Sequence, residues 1–144
     1  MIPVVLELIQ PDELKEHEEV DPSHLQEVYR LIKSDGFFRK PLAVDVRTLV
    51  VLDGEHRLQT LKMLNCKKVP VCLLDYSSER VEVHARDGSL MDKADVLRAG
   101  LSGKKFPPRT TWHFVRMDDG SLEHISSVEK DVSFPLSELI NGVE

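Results

Sequence analysis

Between the apolar run Leu49-Val50-Val51-Leu52 and a helical pattern at Leu58, Leu61 and Leu64 lies the pentapeptide Asp53-Gly54-Glu55-His56-Arg57, which therefore occupies a strand-to-helix junction. The first helical turn then carries two cationic residue types, His56 and Arg57, where the unpaired N–H groups of a helix start already act as about half a positive charge. A bound phosphate resolves that conflict. Gly54 lets the backbone approach the anion closely, Arg57 can grip two of its oxygens in a fork, and Asp53 can hold an accompanying metal ion or a proton. In the plainer reading Asp53 merely caps the helix and Arg57 points outward to a surface carboxylate. The five residue types taken together favour the phosphate site.

Two other segments concentrate reactive groups. In Lys104-Lys105-Phe106-Pro107-Pro108-Arg109-Thr110-Thr111-Trp112-His113, two hydroxyls, an imidazole and several cations sit in a loop stiffened by prolines, which could close over an anionic ligand. On sequence physics alone an ordinary solvated loop explains it equally well, with the threonines bonded to their own backbone and Trp112 covering a core edge. His17-Glu18-Glu19 follows the first strand and, taken alone, reads as solvent-facing charge.

The elements that must position these groups are legible in the pattern. Val4 to Ile9 reads as a strand and Leu14 to Val20 as a loop. Asp21-Pro22 supplies an N-cap and a proline at the first helical position, and Leu25, Val28, Tyr29 and Ile32 share a face until Asp35-Gly36 ends the helix. Pro41 opens a strand, Leu42 to Val46, that turns at Arg47-Thr48 into Leu49 to Leu52 as a hairpin. A helix of about Glu55 to Leu64 follows, then a covered strand over Val69 to Asp75 and a weaker strand over Val81 to His84. Asp92 to Ala99 reads as a short helix with Gly100 near its end, and Ser102 to His113 as a loop. A hairpin spans Phe114 to Ile125 about Asp118-Asp119-Gly120, and Val132 to Leu136 is expected to be a closing strand.

Composition bounds the possibilities. At 144 residues the chain is expected to form one domain, 1–144, with a core of about 1–80 and a substrate-closing part of about 81–144. No stretch resembles a membrane span or a signal peptide, which points to a cytoplasmic protein without membrane partners. Cys66 and Cys72 lack metal-ligand spacing and read as buried free thiols. A formal charge of −6 offers no general attraction to a nucleic-acid backbone.

The run from Leu14 to Tyr76, containing Lys15-Glu16-His17-Glu18, Pro41, Leu52 to Arg57 and Val69-Pro70 through Tyr76, resembles the ParB/sulfiredoxin-like superfamily. Within it the chain is most similar to the archaeal free-serine kinases. Those carry an Asp-Gly-x-His-Arg motif, an upstream His-Glu pair and a Pro-x-Thr-Thr-x-His segment, matched here in order by Asp53 to Arg57, His17-Glu18 and Pro108 to His113. The closing Val132 to Leu139 also resembles the family's last segment, so the likeness covers nearly the whole chain. It implies an α/β (α+β) fold with a mixed, partly antiparallel sheet and packed helices.

The resemblance further implies a kinase that uses ATP or ADP and Mg²⁺ to phosphorylate the hydroxyl of free L-serine. Glu18 aligns with the catalytic base, with Glu19 the alternative at one residue of misalignment. Asp53 takes a catalytic role and orients Mg²⁺, directly or through water, while Gly54, Glu55, His56 and Arg57 surround the nucleotide phosphates. His17, Thr110, Thr111 and His113 are implied to bind the substrate. Two departures stand out: Glu55 where the family has histidine, and Trp112 where it has arginine, which removes a cation that Arg109 or Lys105 could replace. The alternative is a ParB-like protein that binds CTP or another nucleotide and acts in DNA partition or regulation, although no helix-turn-helix pair follows Tyr76. Sulfiredoxin-type thiol chemistry is disfavoured because Glu55 stands where its cysteine would be. Either a monomer or a dimer is expected.

Overall fold

The computed structural model describes residues 1–142 of the chain, so the last two residues of the expected 1–144 domain lie outside the described ones. A five-stranded sheet is built from β1 (Val5–Ile9), β2 (Lys15–Glu16), β4 (Leu42–Asp45), β5 (Val50–Asp53) and β6 (Val69–Leu74), in the order β1-β6-β4-β5-β2. Pairings alternate along it: β1 with β6 and β4 with β5 are antiparallel, whereas β6 with β4 and β5 with β2 are parallel. The mixed, partly antiparallel sheet expected from the sequence is thus present.

Period-two alternation on the central strands divides the interior in two. Leu42, Val44 and Val51 point to one face, where they pack with Leu58 and Leu61 of α2 (Glu55–Met63) and Leu136 and Leu139 of α4 (Leu136–Asn141). Ala43, Val50 and Leu52 point to the other. There they meet Val96 of α3 (Lys93–Ser102), together with Val81 and Val115 of a second sheet, β7 (Val81–Ala85), β8 (Thr111–Arg116) and β9 (Leu122–His124). Both faces of β4 and β5 are therefore covered, and burying this apolar area supplies the main force that holds the layers together.

Helix α1 (Pro22–Asp35) begins as the sequence indicates: the Asp21 carboxylate accepts from the Ser23 N–H at 3.0 Å, Pro22 takes the first position, and Gly36 ends the helix at φ 79°. It packs against α2 and brings its apolar face beside the start of that helix.

The structure departs from the expected elements in four places. Lys15 and Glu16, expected in a loop, form the edge strand β2. Gly100 lies inside α3, which continues to Ser102 and ends at Gly103 with φ 76°. A Cβ at Gly100 would stand 2.8 Å from a Val50 methyl, so glycine is kept there for close packing of helix on sheet. Thr111, Trp112 and His113 begin β8 instead of ending a loop, because buried Thr111, exposed Trp112 and buried His113 continue the alternation into Val115. The closing strand shrinks to β10 (Phe134–Pro135), paired with β3 (Phe37–Phe38), since Pro135 cannot extend a ladder and Leu136, Leu139 and Ile140 fall at helical spacing.

Replacing Gly100 with alanine is expected to lower the unfolding free energy by about 1–3 kcal/mol through overpacking against Val50. Urea unfolding measures it. Wild-type stability in Gly100→Ala would show that helix and sheet have room to spare at this contact.

Candidate active site

The hairpin β4–β5 delivers Asp53 to the C-terminal end of β5, where the chain turns through Gly54 at φ 110° into α2. Gly54 is the N-cap, not Asp53, and no side chain caps the helix. The first-turn N–H groups are therefore available to an external acceptor. A Cβ on Gly54 would meet Leu42 Cγ at 2.8 Å and Arg57 Nη2 at 3.0 Å, so both backbone conformation and space require glycine.

A cleft of about 580 Å³ opens on this helix start. One wall is the α1 face of His24, Val28, Leu31 and Ile32; the floor runs from Leu52 to Arg57; the far wall carries Glu18, Glu19, Arg86, Arg109, Thr111, Trp112, His113 and His124. Segments distant in sequence are fastened here by backbone bonds. Phe106 N–H donates to the His17 carbonyl at 2.8 Å and Glu19 N–H donates to the Phe106 carbonyl at 2.8 Å, which locks the proline loop beside the acidic segment.

Glu18 is held in place. Its Oε2 accepts from the Thr111 hydroxyl at 2.5 Å and from the Thr111 N–H at 3.2 Å. Behind it His17 is buried, its Nδ1 at 2.8 Å from the Val51 carbonyl and its Nε2 at 3.0 Å from Thr111 Oγ1. The threonine has one hydrogen and gives it to Glu18, and a carbonyl can only accept, so both ring nitrogens of His17 must donate. Burial favours the neutral ring, but the Glu55 and Glu18 carboxylates on either side outweigh it and raise the His17 pKa. Burial likewise works against ionised Glu18, yet the bonds from His17 and Thr111 prevail and hold it below its usual range. Burial pushes Glu55 up to about 8, against the attraction of His17.

The cationic pair read at the helix start is resolved within the protein. His56 Nε2 accepts the Asp21 N–H at 3.0 Å, and burial together with nearby His24 lowers its pKa, so this ring is neutral. Arg57 turns inward: Nη1 donates to the Lys40 and Pro41 carbonyls at 2.8 and 2.9 Å, and Nη2 lies 3.1 Å from Asp53 and 3.2 Å from Glu129. Neither the outward arginine nor one wholly committed to a ligand describes this arrangement.

Burial raises Glu129 to about 9, and its proton is shared with Asp53. Burial presses on Asp53 in the same direction, but the Glu129 hydrogen bond and the Arg57 charge keep its carboxyl below the usual range. Asp53 therefore reaches the cleft as an anion. Sequence reasoning missed Glu129 because its meaning arises only from contacts with residues more than seventy positions away.

The other expected site residues are distributed as follows. Thr111 and His113 line the cleft; Thr110 stands outside its wall, its hydroxyl donating to the Pro107 carbonyl at 2.6 Å. His17 supports Glu18 from behind and does not line the cleft. Glu19 is exposed, without the Thr111 contacts of its neighbour. His113 accepts from the Tyr76 hydroxyl at 2.8 Å, and burial depresses its pKa to about 3. Two of the loop cations are occupied, Lys105 with Glu16 at 3.0 Å and Arg109 with Asp21 at 2.8 Å. Cys66 and Cys72 are buried free thiols, as expected.

Burial of neutral His113 gives a pH signature. Its folded pKa lies below the unfolded value of about 6.5, so the unfolded chain binds the extra proton and stability falls as pH drops from about 6.5 towards 3. Between pH 7 and 5 this histidine is expected to cost the wild type about 2 kcal/mol that His113→Asn does not lose, read from urea unfolding at both values. Parallel pH profiles for the two proteins would contradict a neutral buried ring.

No protein-family model matches the chain. A ParB-like protein of Sulfolobus acidocaldarius is 35% identical over 105 residues, 69% of this chain and 52% of that protein. An ATP-dependent L-serine kinase of Staphylothermus marinus is 36% identical over 80 residues, 53% of this chain and 32% of the kinase. An ADP-dependent L-serine kinase of Thermococcus kodakarensis is 30% identical over 80 residues, again 53% of this chain and 33% of the kinase. The chain thus spans about half the length of the first of these relatives and a third of the others. Among solved structures, a free serine kinase in complex with AMP superposes with a TM-score of 0.78 at 15% identity, covering 96% of both chains. A C-terminally truncated SbnI from Staphylococcus aureus gives 0.73 at 15%, covering 96% of this chain and 90% of that one. The chain has the fold of the free serine kinases and is related in sequence to L-serine kinases and to a ParB-like protein, as the three ordered motifs indicated.

Proposed function

We propose that the protein is a nucleotide-dependent kinase that transfers a phosphoryl group from ATP or ADP to the hydroxyl of free L-serine, giving O-phospho-L-serine. The observation that carries this reading is the placement of a fixed carboxylate, Glu18, in the same cleft as an uncapped helix start at Gly54. The related L-serine kinases supply the identity of the acceptor.

Phosphates of the donor fit against the N–H groups of Glu55, His56 and Arg57, where the helix dipole favours negative charge and no side chain caps the turn. Arg57 holds Asp53 in register with that turn. Glu18 accepts the hydroxyl proton. Phosphoryl transfer has a loose transition state, so an ionised and well-aimed acceptor matters more than a strongly basic one, and Thr111 and His17 supply both conditions.

Asp53 suits Mg²⁺: it is an ionised carboxylate at the cleft floor. Among the described residues no cluster of three or more His, Cys, Asp or Glu side chains could hold a metal by itself. One carboxylate with nucleotide phosphates and water is the usual set for this ion, whose contribution is to neutralise charge on the transferring oxygens. No helix among the described residues is long and apolar enough to cross a membrane. On this reading the protein works in the cytoplasm and converts free serine to phosphoserine within serine and cysteine biosynthesis.

Phosphorus NMR of the protein with Mg²⁺, L-serine and each of ATP, ADP and CTP is expected to reveal a phosphomonoester with an adenine nucleotide. Glu18→Gln is expected to lower turnover by about 10²–10⁴-fold while nucleotide affinity stays within about twofold, because a general base acts on the chemical step. Wild-type turnover in that variant would reassign the base. Absence of product with every donor, together with tight CTP binding, would favour the nucleotide-binding regulatory alternative suggested by the ParB-like relative.

A further inference from the structure

Three arginines line the cleft, and two are committed. Arg57 is engaged by Asp53, Glu129 and two carbonyls, and Arg109 by Asp21. Arg86, just after β7, differs. Its Nε donates to the Thr111 carbonyl at 3.2 Å and its guanidinium stacks over the Trp112 ring at 4.8 Å, yet among the described residues neither terminal nitrogen has a carboxylate partner. A freely solvated arginine needs neither contact. These two fix the planar group against the cleft wall with its fork unspent.

We infer that Arg86 is the receptor for the carboxylate of the amino-acid substrate, with Trp112 as its platform. This deepens the proposed kinase reading and rests on it for the identity of the acceptor. The position follows from Thr111. Its side chain and N–H hold the Glu18 carboxylate, and its carbonyl holds Arg86, so the group that receives the hydroxyl proton and the free cation are fastened to one residue. A short amino acid carries a hydroxyl and a carboxylate only a few bonds apart, and this pair matches both ends. Trp112, read from the sequence as the loss of a cation from this segment, thereby serves to steady a cation delivered by the neighbouring strand.

The chain contains a single tryptophan, so its fluorescence reports directly on the Arg86 contact. Titration of the full chain with L-serine is expected to give a saturable change. Ethanolamine, which keeps the hydroxyl and amine but lacks the carboxylate, is expected to give none. In Arg86→Ala the serine midpoint is expected to rise by roughly tenfold or more, the loss of a charge-assisted pair, while ADP binds both proteins equally. Equal serine midpoints in the two proteins, an ethanolamine response matching that of serine, no saturable change in the wild type, or ADP affinity that depends on Arg86 would each overturn the assignment. A serine titration that depends on Arg86 in a protein that transfers no phosphate would uphold the carboxylate receptor and defeat the kinase reading. Phosphate transfer with a serine KM indifferent to Arg86 would do the reverse.

Discussion

Helix α2 starts on a residue that offers it nothing. Gly54 has no side chain to accept the first-turn N–H groups, and its φ of 110° and contact with Leu42 prevent substitution by a residue that could. The positive end of the helix is therefore left facing a cleft, and much of the surrounding structure follows from that constraint. Cations beside it must be neutralised or turned away. His56 is neutral and accepts a backbone bond, and Arg57 bends back into two carbonyls and two acidic side chains. On the proposed kinase reading, the uncapped helix start is where the nucleotide's phosphates bind.

For the acidic residues of the cleft the problem is reversed, since carboxylates must stay ionised although partly buried. Glu18 does so through Thr111 and a doubly donating His17; Asp53 does so through Arg57 and a protonated Glu129. Each is steadied in part by a donor from a distant segment, Thr111 for Glu18 and Glu129 for Asp53. Because those donors come from β8 and from the stretch after β9, the second half of the chain is as much a part of the site as the Asp53 to Arg57 turn. The same dependence explains why the proline loop is pinned to the His17 segment by backbone bonds and not left to move independently.

How much could be read from the sequence depended on the range of the interaction. Helix α1 was legible because Asp21, Pro22 and Gly36 act within a few residues, and the β4–β5 hairpin because its two apolar runs are separated only by a short polar turn at Arg47-Thr48. The junction at Gly54 was legible for the same reason. The direction of Arg57 was not, since it is set by Glu129, and a lone glutamate in a polar stretch carries no local signal. His17 looked solvent-facing among acidic neighbours because its burial is created by Val51 and Thr111. Thr111 to His113 passed for a loop since their polar side chains disguised an alternation completed only by Phe114 and Val115. Arg86 gave no sign at all; its role emerges from a strand pairing that sets it beside Thr111 and Trp112.

The central claim, that the glycine-capped start of α2 receives a nucleotide's phosphates, is tested most directly by following backbone amide resonances while Mg²⁺ and ADP are added. The account predicts that the largest shifts fall on Gly54, Glu55, His56 and Arg57, with smaller ones along the α1 wall. Saturable binding that leaves those four amides unmoved would contradict it.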